Sequence, residues 1–473
     1  MLNPSGHDHF RTGMHRKMRD RTGPQTKNWL LAGLSGLVIS FGASSCSAES
    51  TITPSIEPVP VEGPLAFPGA VGHGAGSAGG RGGRIFIVDT LADTGDGTLR
   101  SCIEASEPRV CVFRVSGTIR FTGRPPIIRN PYITIAGQTA PGGGITLAHS
   151  GGVDGVTPLL IKNTHDVVVR HIRVRLDRTG AFREAEDAFT IENSDNVILD
   201  HVSGSWARDE TVNGHGDNDR VTISWSIFAE GIPRHDNCAL LGGDPSGPQR
   251  VSFIGNLCAH NGDRNPDVNF EPGSCVEVLN NLLYNAQSQF AEVWESYGGS
   301  PVSIVGNVMR AGRNTGRQAV GIDLERTGST GQARIFHWDN LFEGRFRDHS
   351  PLLASVAAPT PPCPLTIRPI PASETAAAVL AGAGAFPRDA VDQRMVTDAR
   401  DRTGRIVQYP GDIPATVAGQ PYVDEDNDGM DDEWERAMGG EPESFEPWND
   451  ADADGVSNMD AFLDAMHRQV MGQ

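Results

Sequence analysis

Residues 262–270 read GDRNPDVNF and place one cation, Arg264, between an aspartate and an Asn-Pro turn. A turn arginine is ordinarily a solvated surface residue. Two acidic stretches upstream give this one a different setting. REAEDAF carries Glu184, Glu186 and Asp187, and ARDETVNGHG carries Asp209, Glu210 and Asn213. Each stretch alone reads as ordinary surface acid. Gathered on a rigid scaffold, such carboxylates repel one another unless a cation joins them. Calcium, which takes about six to eight oxygens, suits them. The chemistry on offer is a divalent ion held among acids, with a guanidinium close by.

Bringing residues 187 and 264 together needs a fold that stacks distant segments. The sequence supplies repetition. Short alternating runs recur, among them VVVRHIRVR, VILDHVSGS, VTISWSIFA, VSFIGNLCA, VEVLNNLLY and VSIVGNVMR. Aligned, they put His171, His201, Trp225, Asn256, Asn281, Asn307 and Asn340 in one column, at spacings of 30, 24, 31, 25, 26 and 33. Asn suits the turn because it tolerates a left-handed backbone and bonds its neighbours. The pattern predicts an all-β chain, a right-handed parallel β-helix with the Asn side chains stacked in a ladder. A β-sandwich gives no reason for a single Asn column. The short helix GTLRSCIEA is expected to cap the open end of the solenoid. Successive coils lie about 4.8 Å apart, so acids far apart in sequence can share one groove.

Composition agrees. With 56 glycines, 32 prolines and 6% aromatics, many short strands joined by turns are favoured over long helices. The net charge of −19 is uneven: from Asp424 onward there are 16 acidic and 2 basic side chains, so −14 of it belongs to the tail. The main body is near neutral and can meet an anionic ligand. No block of Lys and Arg interleaves with aromatics, which argues against nucleic acid.

The tail is itself a metal motif. DEDNDGMDDEWE puts oxygen donors at positions 1, 3, 5, 9 and 12, namely Asp424, Asp426, Asp428, Asp432 and Glu435, with Gly429 at the sharp turn. That is the spacing of an EF-hand calcium loop. A second copy has Asp450, Asp452, Asp454 and Asn458 but Ala461 at position 12. Its missing bidentate carboxylate predicts weaker binding. Such a tail is expected to bind calcium, fold on it, or attach the protein to a cell surface.

The expected organisation is a signal or lipoprotein signal over 1–48, a Pro-rich linker over 49–64, the β-helix over 65–355, an irregular extension over 356–420 and the acidic tail over 421–473. The N-terminal run HRKMRDR, followed by WLLAGLSGLVISFGA, has a signal peptide's layout, and Cys46 is a candidate lipid-modified residue. Six further cysteines fit an exported, disulfide-bonded monomer, with Cys102 and Cys111 spaced to close a short loop. The GxGxxG at Gly74, Gly76 and Gly79 follows a linker and precedes a strand, so a dinucleotide-binding reading is rejected.

AFPGAVGHGAGSAGGRGG, TLRSCIEA, VSGTIRF, ITIAGQTAPGGG, DAFTIENSDNVILDHVSGSW and RNP, in that order, resemble the pectate lyases of polysaccharide lyase family 1 over roughly residues 65 to 345. The D-(x)12-D-H spacing from Asp187 to Asp200 and His201 and the N-(x)7-R spacing from Asn256 to Arg264 match the family's motifs. The resemblance implies calcium-dependent β-elimination on an acidic polysaccharide, polygalacturonate or pectin. By position it makes Asp187, Asp209 and Asn213 calcium ligands, Glu210 an alternative ligand, and Arg264 the group that takes the proton. Ala185 stands where some members have a carboxylate, which Glu184 or Glu186 could replace. Two departures fall on substrate contacts. Asn269 stands where the family has a second arginine, and Arg234 or His235 stands in for a lysine of the preceding coil.

Two rivals share the fold. A polygalacturonase-type hydrolase needs paired carboxylates with room for water. Asp209 and Glu210, adjacent on a strand, are expected to point to opposite faces and so to pair poorly. A non-catalytic glycan-binding β-helix would leave Arg264 without a role.

Overall fold

The structure is a computed structural model that describes residues 57–59, 61, 63–149, 157–178, 186–327 and 331–473. The expected signal, Cys46, most of the linker, Glu184 and Ala185 lie outside the described residues.

Three parallel sheets, of ten, nine and nine strands, stack as a β-solenoid. One coil shows the plan. The strand Phe189–Glu192 in the second sheet leads to Asp195–Asp200 in the first and Ser203–Ser205 in the third. The chain then returns to the second sheet at Glu210–His215. What holds the stack is repetition of like on like. Ile133, Val167, Val197, Val221, Val251, Val276, Val302 and Ile335 share one register position on successive coils. All are buried. β-Branched side chains fit this pleated stacking, and each contributes about 1.5–3 kcal/mol on full burial.

The Asn ladder is present. The backbone N–H of Asn256 donates to Asn281 Oδ1 (2.8 Å), that of Asn281 to Asn307 Oδ1 (2.9 Å), and that of Asn307 to Asn340 Oδ1 (3.0 Å). Each amide nitrogen donates to a carbonyl of the neighbouring coil, as buried polar groups must. The predicted column, however, merges two. Strand pairing puts His171, His201 and Trp225 one residue earlier than the ladder, level with Gly255, Asn280, Gly306 and Asp339. These seven carry the positive φ, from 46° to 70°. The left-handed residue and the laddered Asn are therefore neighbours with separate jobs: one turns the chain, the next satisfies the turn's amides.

The helix Leu99–Glu104 buries Leu99, Cys102 and Ile103 against the first coil, and Cys102–Cys111 ties it to the strand Arg109–Phe113. Cys238–Cys258 and Cys275–Cys363 are also bonded. The helices Ala372–Gly382 and Ala390–Asp401 pack on the outer face of the third sheet, Val379 and Met395 meeting Ile227, Leu257 and Leu282. Buried charge fixes that docking: Arg175 Nη2 lies 2.7 Å from Asp392 and 3.0 Å from Asp389. The acidic tail covers the outer face of the first sheet, where Met430, Met459, Phe462 and Leu463 meet Val110, Val112 and Ala136. No helix among the described residues is long and apolar enough to cross a membrane.

Candidate functional site

Most of the candidate residues singled out in the sequence lie on, or just after, the loop that returns from the third sheet to the second, while Asn213 lies within the strand Glu210–His215 and Asn269 follows Asp267–Val268. Asp187 precedes Phe189–Glu192, Asp209 precedes Glu210–His215, Arg234 and His235 precede Asn237–Gly243, and Arg264 precedes Asp267–Val268. The pairing register puts these strands side by side.

Asp187, Asp209 and Glu210 offer carboxylate oxygens that all lie within 4.8 Å of one another. The expectation that Asp209 and Glu210 face opposite ways is overturned. Asp209 sits in the bend before the strand begins, where side chains no longer alternate. Asp187 is buried and accepts from Thr190 Oγ1 (2.7 Å), Asn213 Nδ2 (2.9 Å) and the Glu210 backbone N–H (3.2 Å). Burial, then the Glu210 carboxylate, still pushes its pKa up to about 8. Burial, then Asp209, pushes Glu210 up to about 7. Three acids crowded this closely call for protons or for a cation. The oxygen of the Asn213 amide, Oδ1, is buried with no hydrogen-bond partner. The three carboxylates form an all-oxygen donor set of the kind a hard divalent cation takes, and Asn213 presents its amide nitrogen to Asp187 beside them.

Arg264 joins this cluster through Glu210, whose Oε1 is in contact with Arg264 Nη1. Asn237 Nδ2 donates to the same oxygen at 3.2 Å. The arginine has φ 50°, a left-handed backbone that is costly for a residue with a Cβ, and Asp263 Oδ1 accepts its amide at 2.7 Å. Burial pulls the guanidinium pKa down, but Glu210 and Asp267 outweigh it and leave the pKa above its ordinary value.

The other predicted groups fall out as follows. His235 is exposed, with Nδ1 3.5 Å from Asp209 Oδ1, and Arg234 is exposed beside it. Asn269 donates to Ser296 Oγ on the next coil (2.8 Å). Glu186 is buried against Arg208 (2.6 Å) and His149, away from the cluster. Two acids escaped the sequence reading. Asp267 and Glu292 are register partners on adjacent strands. Burial raises Asp267 to about 7, with Arg264 opposing and Glu210 adding, and burial, then Asp267, raises Glu292 to about 9. Their spacing of one coil was the available signal.

Three imidazoles, His171, His201 and His467, also converge. The Phe386 N–H donates to His171 Nδ1 (3.0 Å), so the proton of neutral His171 sits on Nε2, the atom 2.9 Å from His467 Nδ1. A ring nitrogen that keeps its proton cannot ligate a metal, so this set is a hydrogen-bonded contact.

No protein-family model matches the chain. It is similar to "Probable pectate lyase C" of Aspergillus fumigatus, 32% identical over 395 residues that cover 80% of this chain and 88% of the relative. It is also similar to "Probable pectate lyase C" of Aspergillus flavus, 30% identical over 427 residues, 85% of this chain and 94% of the relative. Among solved structures, the crystal structure of jun a 1, the major allergen from cedar pollen, shares the fold with a TM-score of 0.52 at 18% identity, covering 67% of this chain and 92% of that one.

Proposed function

The chain belongs to the pectate lyase family, polysaccharide lyase family 1, and on that premise we propose that it cleaves polygalacturonate by calcium-assisted β-elimination with Arg264 as the base. The observation that carries this reading is the convergence of Arg264 with Asp187, Asp209 and Glu210 from three separate loops.

The reaction removes the proton at C5 of a uronate. That proton is barely acidic while the neighbouring carboxylate keeps its full charge. Asp187, Asp209 and Glu210 would hold calcium, which would supply positive charge to steady the enolate-like state. The protein's own groups do the rest. Arg264, having given one guanidinium proton to solvent, takes the C5 proton; the C5–H electron pair becomes the C4=C5 double bond; the C4–O bond breaks, and the leaving oxygen takes a proton back from solvent, so that protons balance. The product is a 4,5-unsaturated oligogalacturonide.

A free guanidine, with a pKa above about 12, is a poor base. Glu210 makes Arg264 poorer still while the two are in contact. Were Glu210 shared with a cation in the cluster it joins with Asp187 and Asp209, it would support the guanidinium less and leave Arg264 to the substrate. Arg234, exposed on the loop of the preceding coil, supplies positive charge for the polyuronate, and the exposed His235 beside it offers a ring hydrogen bond. Three disulfides among the described residues support a site of action outside a reducing cytoplasm.

The test is Arg264→Lys. It should abolish turnover while leaving calcium and oligogalacturonate binding, measured by calorimetry, nearly intact. Retained turnover would remove Arg264 from the base role.

A further inference from the structure

We propose that the loop Asp424–Glu435 is a second divalent-cation site, suited to calcium, and that filling it fastens residues 421–473 onto the outer face of the first sheet. The inference is independent of the lyase reading. It concerns a different end of the molecule.

The loop is built as its spacing predicts. Asp424, Asp426 and Asp428 bring carboxylate oxygens within 4.8 Å of one another. Asp424 accepts from the backbone N–H of Asp428 (3.1 Å) and of Gly429 (3.2 Å), and Gly429 turns at φ 92°. An acidic cluster alone would prove little. The independent observation is Glu435, which arrives from the helix Asp432–Ala437. Its side chain is 0% exposed, and neither carboxylate oxygen has a hydrogen-bond partner. Asp428 Oδ2 is orphaned in the same way. A buried, unpartnered carboxylate costs several kcal/mol in general terms, and its neighbours here are Asp424, Asp426, Asp428 and Asp432. The nearest opposite charges lie outside the ring: Arg114 is 3.6 Å from Asp424, and Arg436 is 3.2 Å from Asp432. A cation inside the ring answers the orphaned oxygens, with Glu435 as the bidentate ligand.

The second loop acts as an internal control. Asp450 accepts from Asp454 N (3.2 Å) and Gly455 N (2.9 Å), and Gly455 turns at φ 91°, so the backbone repeats the first loop closely. Its acids are exposed, and position 12 is Ala461. Nothing in it is left buried without a partner, and it carries no proposal.

Coupling to the solenoid follows from where the first loop lies. A Cβ on Gly429 would come within 2.6 Å of Ile85 Cγ2, so the turning residue of the loop is itself in the interface. The next residue, Met430, is fully buried against Val110 and Val112. Arg114 Nη1 donates to the Asp424 carbonyl and to Asn427 Oδ1, both at 3.4 Å. Trp448 Nε1 donates to the Gly83 carbonyl at 2.8 Å. The apolar face of the tail is thus used within the molecule.

The experiment compares the wild-type chain, Glu435→Gln and Asp187→Asn by calcium titration calorimetry and thermal unfolding. Saturating calcium should raise the wild-type melting temperature by roughly 5 °C. Glu435→Gln should lose one bound calcium and most of that rise, with turnover at saturating calcium unchanged within about twofold. Asp187→Asn should need at least tenfold more calcium for half-maximal turnover and keep the rise. A full rise in Glu435→Gln, or an unchanged stoichiometry, overturns the proposal. Should Glu435→Gln not fold, hydrogen exchange on the wild type decides. Calcium should slow exchange in 424–471 and in strands 84–88 and 109–113 by tenfold or more, and no change there overturns it.

Discussion

The cleft cluster and the tail loop solve the same electrostatic problem differently. Both crowd at least three carboxylates within 4.8 Å. The tail draws its acids from twelve consecutive residues, and nothing inside its ring opposes them. The cleft draws its acids from separate coils and adds its own cation, Arg264, in contact with Glu210. A site with a resident guanidinium can exist without metal and can exchange it during turnover. On the proposal above, a site with two orphaned Glu435 oxygens relies on the metal for its shape. One is therefore built for chemistry, the other for holding the molecule together.

This division can be broken or sharpened by variants that strike one side only. The largest effect is expected from Arg264→Ala. Loss of a positioned base should lower kcat by about 10³-fold, read by product absorbance, with the calcium-dependent rise in melting temperature untouched. Next, Asp187→Asn removes one ligand and the charge that burial makes costly. The calcium needed for half-maximal activity should rise by at least tenfold, and a chelator titration of the rate measures it. Glu435→Gln should show the reverse pattern, as set out above.

The smallest effect is a pH dependence where the tail meets the solenoid. His467 faces Arg170, Asp200, His171, His201 and Arg468. Burial, then Arg170 and His201, lowers its pKa to about 3. Burial also holds His171 well below its ordinary value. Both rings have a lower pKa folded than unfolded, so the unfolded chain binds protons that the folded chain refuses. The contribution of these two rings to stability should be flat above about pH 7 and fall as pH drops from about 6.5 toward 3. His467→Gln should make that fall shallower, as thermal melts across pH would show. An unchanged slope would mean the imidazole is not what the acid reaches.

Much of this was legible in the sequence, and what was not has identifiable causes. The tail loop could be read residue by residue because its ligands are local. The solenoid announced itself through repeat spacing and the Asn column, yet that column was misread by one place. His171 and Asn256 both sit at turns, and only strand pairing separates the left-handed position from the ladder. The cleft acids were found, but the faces of Asp209 and Glu210 were not, because strand alternation was extended one residue past where the strand begins. Asp267 and Glu292 look unremarkable in sequence; only their shared register makes them a pair. The contact between His171 and His467 joins residues 296 apart and has no local signal.

The central claim is that a metal gripped by Asp187 and its neighbours lets Arg264 open a uronate chain without water. The most direct measurement is the ultraviolet absorbance of unsaturated product from polygalacturonate, using protein stripped with chelator and then reloaded with calcium. The account predicts no absorbance from stripped protein and full recovery on reloading, in the wild type and in Glu435→Gln but not in Arg264→Lys. Undiminished absorbance from stripped protein, or new reducing ends without absorbance, would contradict it.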